Sequence, residues 1–169
     1  MTPTTPAPVE LVTVRMGEAA YEELLGPVRA DAALLEQMWR DAETPRLDEK
    51  PGKTWCVATV HHGGRRIAAA WAAAIEEEHE GQRILRCSDS YDVPAWRGRS
   101  LYTLAYAWRH ATIVVPTGLP ARTFVYAQPK VLHDRDGWTV VNSDTSHEPG
   151  LDPHEWFEMW WYPPQPAAH

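Results

Sequence analysis

Cysteine is scarce, positive charge is in deficit, and no long apolar run occurs. The 169 residues include only two cysteines, Cys56 and Cys87. Neither belongs to a CxxC or Cys/His ligand spacing, so no metal site is expected. Both fall inside predicted strands and read as buried thiols of a reducing compartment rather than as a disulfide. No stretch approaches the roughly 20 apolar residues of a membrane span. The Thr/Pro/Ala-rich start, Met1 to Pro8, lacks the basic and apolar parts of a secretory leader. The expectation is one cytoplasmic domain over 9–164, a length suited to a single core, with tails at 1–8 and 165–169. Lys and Arg number 16 against 23 Asp and Glu, a formal charge of −7. Generic nucleic-acid binding needs clustered cations to neutralise phosphates, so that class is excluded. The charge suits a basic small-molecule partner.

What is present is alternation and turn chemistry. Val9 to Val14 alternates apolar and polar and predicts a first strand. Tyr21, Leu24 and Leu25 form one helical face. After a break at Gly26-Pro27, the segment Val28 to Arg40 forms another with Ala32, Leu35, Met38 and Trp39. Asp41 to Gly52 reads as a charged loop. Lys53 to His61 puts Trp55, Val57 and Thr59 on one face and Cys56, Ala58 and Val60 on the other. Gly63-Gly64 supplies the positive-φ residues of a tight hairpin into the alanine-rich strand Arg65 to Glu77. Arg83 to Asp92 completes an antiparallel meander. Pro94 ends it, and the helix Leu101 to Ile113 follows, with Ser100 as N-cap and Leu101, Leu104, Ala105 and Trp108 inward. A strand at Arg122 to Ala127, a short helix at Lys130 to Asp134, and strands at Trp138 to Asn142 and Glu155 to Tyr162 finish the chain. The order β–α–α–β–β–β–α–β–α–β–β predicts an α/β (α+β) fold. Its sheet is mixed, mostly antiparallel, of six to seven strands with helices on both faces.

Within this acidic chain the sign reverses at Arg97, Arg99 and Arg109. The stretch Tyr91-Asp92-Val93-Pro94-Ala95-Trp96-Arg97-Gly98-Arg99-Ser100-Leu101-Tyr102 resembles the GNAT acyltransferases. Those proteins follow an extended strand with a proline, an aromatic residue and an Arg/Gln-x-x-Gly-x-Gly/Ala turn that opens a helix. Gln128-Pro129 and Leu132-His133-Asp134-Arg135-Asp136-Gly137-Trp138 are similar to the family's Asn-Pro and Leu-Tyr-x-x-x-Gly-Phe segments. A helix N-terminus presents unpaired N–H groups and a positive dipole end, which together hold phosphate. The resemblance implies that Arg97, Gly98, Arg99, Ser100 and Tyr102 hold the pyrophosphate of an acyl-CoA. It implies equally that the backbone of Tyr91, Asp92 and Val93 binds the pantetheine arm, with Gln128 across the groove. The two family glycines are replaced by Ser100 and Tyr102. The donor is therefore either acyl-CoA or an acyl-phosphopantetheine on a carrier protein, which needs the arm's groove but not the full phosphate seat.

Acyl transfer to an amine needs a base for the ammonium proton, a donor to the oxyanion and an acid for the thiolate. By the resemblance His133 stands where the family has its acidic tyrosine, the alternative being a surface histidine. Asp89, in the polar run Ser88 to Asp92, is the candidate base, the alternative being a carboxylate that caps a strand end. His147 and His154 with Asp144, Glu148 and Asp152 lack regular ligand spacing. Trp156, Trp160 and Trp161, with Phe157 and Tyr162, make a last strand aromatic on both faces, to be covered by a second copy or an aromatic acceptor. Two alternatives to the enzyme stay open, a non-catalytic binding module on the same scaffold and another thioester reaction such as decarboxylation.

Overall fold

A computed structural model of the chain describes residues 8–42, 46–146 and 154–165. The elements are β1 (Val9–Arg15), α1 (Ala19–Arg29), α2 (Ala32–Ala42), β2 (Thr54–His62), β3 (Arg65–His79) and β4 (Gln82–Asp92), followed by a 3-10 turn at Pro94–Trp96. Then come α3 (Leu101–Arg109), β5 (Ala121–Tyr126), α4 (Ala127–Arg135), β6 (Thr139–Ser146) and β7 (His154–Trp161). The strands hydrogen-bond in the order β1-β2-β3-β4-β5-β7-β6. The expected element order and mixed sheet are therefore observed. The position of β7 between β5 and β6 adds what periodicity does not contain.

The chain divides into two compact units: Met1–Ala73 with Asp89–Arg109, and Ala74–Ser88 with His110–His169. In the first unit, strand alternation sorts the core. Trp55, Val57, Trp71, Ala73 and Tyr91 pack with Tyr21, Leu24, Leu25 and Val28 of α1 and Met38 of α2. Ala58, Val60, Ala69 and Ala70 pack with Leu101 of α3. Because β2 and β3 are covered on both faces, they read as continuous apolar runs, and small alanines let helices approach closely. Truncating Trp71, fully buried, would cost about 3–5 kcal/mol.

In the second unit, β5 pairs with β4 in parallel at Leu85↔Ala121 and Arg86↔Arg122. Thr123 Oγ1 adds a bond to the Cys87 carbonyl at 3.0 Å. β7 pairs antiparallel with both β5 and β6, with a bulge between Val140 and Asn142. One face of β5 and β7 carries Arg122, whose guanidinium lies over Phe124 and Trp160 and binds Glu158 at 2.8 Å. Phe124 and Tyr162 are exposed. Cys56 and Cys87 are both buried and form no disulfide.

Two helical expectations are corrected. The break falls at Ala30-Asp31, not at Gly26-Pro27, because Pro27 lies inside α1. Tyr21, Leu24, Leu25 and Val28 form one buried stripe across the proline, so burial outweighs one missing N–H. Asp31 then starts α2, its Oδ1 accepting the Leu34 N–H at 3.1 Å and its carbonyl the Leu35 N–H at 3.0 Å. Along α3 the buried face is Leu101, Ala105, Tyr106 and Arg109. Leu104 is exposed, and Trp108 is only partly buried, its indole donating to Thr13 Oγ1 at 3.0 Å. Two polar groups displace apolar ones because partners await them: Ser90 for Tyr106 and the Ala73 carbonyl for Arg109. The helical path then passes through a π-turn at His110–Val114 to Thr117.

Replacing Asp31 by Ala removes an N-cap and is expected to cost about 1 kcal/mol, and by Gly only a few tenths. Urea unfolding of the two variants checks the difference.

Candidate functional site

The strand carrying the expected site ends irregularly. Asp89 has φ +53°, a left-handed value rare for a non-glycine residue, yet the burial alternation of Cys87, Asp89 and Tyr91 continues through it. That carboxylate is buried and fully engaged. Oδ2 accepts from Lys53 Nζ at 2.5 Å and Oδ1 from the Asp48 N–H at 2.9 Å. Lys53, also buried, donates to the Asp48 carbonyl at 2.6 Å and lies 5.3 Å from the Trp55 ring centroid. Asp89 therefore ties the loop before β2 to β4. Each oxygen of this carboxylate thus accepts one hydrogen bond within the chain.

The three residues expected to offer backbone to a pantetheine arm differ. The Val93 N–H is spent on the Ala69 carbonyl of β3 at 2.8 Å. In an antiparallel ladder, backbone groups alternate between the two edges, so Tyr91 also faces β3 and Asp92 faces away. The Asp92 carbonyl takes Arg97 Nη2 at 3.2 Å. Tyr91 itself is buried and donates to Asp41 Oδ2 at 2.6 Å.

The turn is a set of left-handed residues. Gly98 has φ +83° and Ser100 φ +59°. A Cβ at Gly98 would meet nothing, so backbone conformation alone asks for glycine there. Ser100 occupies the place of the first family glycine in a conformation glycine prefers, at a cost of about 1 kcal/mol. As N-cap it departs from the extended backbone usual there, yet its carbonyl still accepts the Leu104 N–H at 3.2 Å.

The two arginines of the turn have separate fates. Arg97 Nη2 binds Asp41 Oδ2 at 2.8 Å and its Nε binds Asp92 Oδ1 at 3.3 Å, while its guanidinium lies 5.5 Å from the Tyr91 ring centroid. Arg97 thus closes a cluster with α2 and β4. Burial alone would raise the Asp41 carboxyl, but hydrogen bonds from Tyr91, Arg97 and Gln37 hold it below the ordinary range. Arg99 is exposed and rests over Trp96 at 5.0 Å. Gly98, Arg99 and Ser100 are exposed, and a phosphate at this turn would meet a helix N-terminus and Arg99, which fit it. Arg97 fits less well.

Tyr102 stands where the second family glycine would be. Its hydroxyl meets Tyr106 Oη at 2.9 Å, and Tyr106 Oη meets Ser90 Oγ at 2.6 Å. The ring is drawn along α3 toward β4, and burial pushes its phenol well above the usual tyrosine value, so it stays protonated.

His133, in the second unit, is buried rather than on the surface. Its Nδ1 lies 2.8 Å from the Pro129 carbonyl. A carbonyl only accepts, so Nδ1 carries the hydrogen of this bond. Gln128 lies in α4, but its side chain is outside the described residues. His147, Glu148 and Asp152, and the side chain of His154, are outside them too. Among the described residues no group of acidic, His or Cys side chains is placed to hold a metal, and no helix is long and apolar enough to cross a membrane.

A cleft of about 710 Å³ in the first unit is floored by Leu24, Val28 and Ile67 and reaches Val93 and Trp96. Its charges are largely paired with each other, Arg66 with Glu10 and Glu23. Sequence reasoning missed Lys53, Asp41 and Tyr106. An isolated lysine opening a strand, Lys53, was the one local signal.

The fold has many solved counterparts. Escherichia coli ElaA superposes with a TM-score of 0.61 at 13% identity, over 90% of this chain and 98% of that one. The GNAT fold is that of this chain. Salmonella typhimurium yncA, a putative acetyltransferase solved with its cofactor acetyl-CoA, gives 0.57 at 15% identity over 95% and 96%. Arabidopsis thaliana NAA60, in complex with a bisubstrate analogue, gives 0.55 at 11% over 90% and 99%. No protein-family model matches the sequence, and no curated protein matches it.

Asp89→Asn leaves the buried Lys53 with only the Asp48 carboxylate, 3.5 Å away, as counter-charge, and is expected to cost about 3 kcal/mol. A base with no structural role would leave urea midpoints unmoved. Arg97→Gln is expected to cost under about 1 kcal/mol at neutral pH, the pair being partly exposed. The carboxyl of Asp41 is depressed in the folded state, so its contribution is complete above its unfolded value and is lost as pH falls through the lower folded one. Without Arg97 the folded value rises, and acid unfolding should begin at higher pH.

Proposed function

We propose that this protein is an N-acyltransferase that moves an acyl group from a thioester to the amine of a small molecule. One observation carries the reading. β4, which ends at Asp92, leads through a left-handed turn, Gly98 and Ser100, into the N-terminus of α3, on a fold shared over nine-tenths of the chain with GNAT acetyltransferases. That arrangement aims backbone N–H groups and Arg99 at an anion. Acyl-CoA is the donor that fits it, with an acyl-phosphopantetheine on a carrier protein as the shorter variant of the same chemistry.

In the transfer, the amine nitrogen bonds to the thioester carbon, the carbon–sulfur bond breaks, the ammonium proton leaves and the thiolate takes one up. The backbone of Asp92, on the edge of β4 away from β3, is the chain's hydrogen-bonding surface for the donor arm. Asp89 and Lys53 hold that strand and its neighbouring loop in place. His133, with Nδ1 on the Pro129 carbonyl, is the residue proposed to protonate the leaving thiolate. The aromatic face of β5 and β7 is the surface proposed for self-association.

Tyr102 and the capture of Arg97 by Asp41 and Asp92 favour a second reading, a binding module on the same scaffold. Thiol release from acetyl-CoA with a panel of amines separates the two. Arg99→Gln is expected to weaken CoA about tenfold, as loss of one charged phosphate contact, with unchanged stability. Ser100→Gly and Tyr102→Gly are expected to keep or tighten CoA binding. A dissociation constant weaker than millimolar, with no thiol released for any amine, would defeat the CoA-dependent enzyme and leave the module.

A further inference from the structure

The β2–β3 hairpin brings further basic residues to the turn before α3. β2 ends at His62 and β3 starts at Arg65, with Gly63 at φ +59° and Gly64 at φ +75° between them. Two left-handed residues in a two-residue loop oppose the residues that flank them, so His62 and Arg65 share one face of the sheet. Alternation identifies that face. Ala58 and Val60 precede His62 at a period of two, and Ile67 and Ala69 follow Arg65. All four pack in the cluster that holds Leu101 of α3 and Trp96.

Trp96 joins the hairpin to the turn. The His62 ring meets its indole edge to face with centroids 5.4 Å apart, and the Arg99 guanidinium lies 5.0 Å from the same indole. His62, Arg65 and Arg99 are exposed. Their neighbours in sequence, Arg66 and Arg97, are taken by Glu23 and by Asp41. Asp92, which alternation puts on this same face, is also bonded to Arg97. Among the described residues no carboxylate pairs with Arg65 or Arg99. Cations gathered without an anion repel one another, and a multiply charged anion relieves that repulsion.

We infer that His62 and Arg65 bind phosphate beside Arg99, and that the donor carries its thioester on a nucleotide, as CoA does, rather than on a carrier protein. A carrier-bound arm brings one phosphate, which the turn and Arg99 accommodate. CoA brings two in its pyrophosphate and another on its ribose, and the hairpin supplies N–H donors for them. The pattern by which the turn resembles its family includes no hairpin residue. The word donor rests on the acyltransferase reading; the phosphate site does not.

Titration of CoA and of 4′-phosphopantetheine into the full chain tests it. CoA is expected to bind at least about tenfold more tightly. His62→Gln and Arg65→Gln should each weaken CoA about threefold and together about tenfold, with 4′-phosphopantetheine nearly unaffected. Adenosine 3′,5′-bisphosphate, which has nucleotide phosphates and no arm, should bind and lose affinity in the same variants. Arg40→Gln removes an equal charge from α2 and should leave the preference for CoA unchanged. Thermal unfolding verifies that each variant is folded. Equal affinity for the two ligands, a preference that survives the double variant, or an equal loss in Arg40→Gln overturns the inference. A hairpin-dependent preference with no thiol released from acetyl-CoA for any amine would sink the acyltransferase reading and leave this site standing. Thiol release with a preference untouched by the double variant would do the reverse.

Discussion

The buried pair of Lys53 and Asp89 is the contact on which the candidate site depends. Two charges removed from water repay their desolvation only with close geometry and further hydrogen bonds. Both conditions hold: a 2.5 Å contact, an Asp48 N–H on the second carboxylate oxygen and the Asp48 carbonyl on the lysine. Asp89 holds the loop before β2 through the Asp48 N–H, three residues before β4 ends at Asp92. Without the pair, the loop and the strand end would be independent.

From that anchor, the turn explains why the GNAT pattern asks for glycine. Ser100 adopts φ +59° and Gly98 φ +83°, so the first pattern position is demanded by the backbone path. The second is a matter of space, and Tyr102 shows what fills it: a phenol laid against Tyr106 and through it onto Ser90. One substitution is paid in strain, the other in room. Arg97 illustrates a third outcome, a cation kept in place but claimed by Asp41 and Asp92 for holding α2 to β4.

Much of the architecture was legible. Trp55 and Val57 on one face of β2 and Ala58 and Val60 on the other follow from a period of two, and the Gly63-Gly64 hairpin settled β3 as a strand despite its alanines. The helices were less legible where rules competed. Pro27 argued for a break that the stripe through Val28 overrode, and Leu104 argued for an inward face that Tyr106 and Arg109 took. The site was legible as a location and not as a set of roles. The polar run before Pro94 marked it, but the partner of Asp89, Lys53, lies 36 residues away.

The order of elements, the faces of the strands and the position of the phosphate-type turn were determined by the sequence itself, because alternation, turn residues and helix stripes act between near neighbours. Only the tertiary structure decided the rest: β7 between β5 and β6, Asp41 on an arginine 56 residues distant, and Asp89 on Lys53. Those outcomes turn on which distant groups meet once the core has packed, and a charged side chain carries no local mark of the partner it will find.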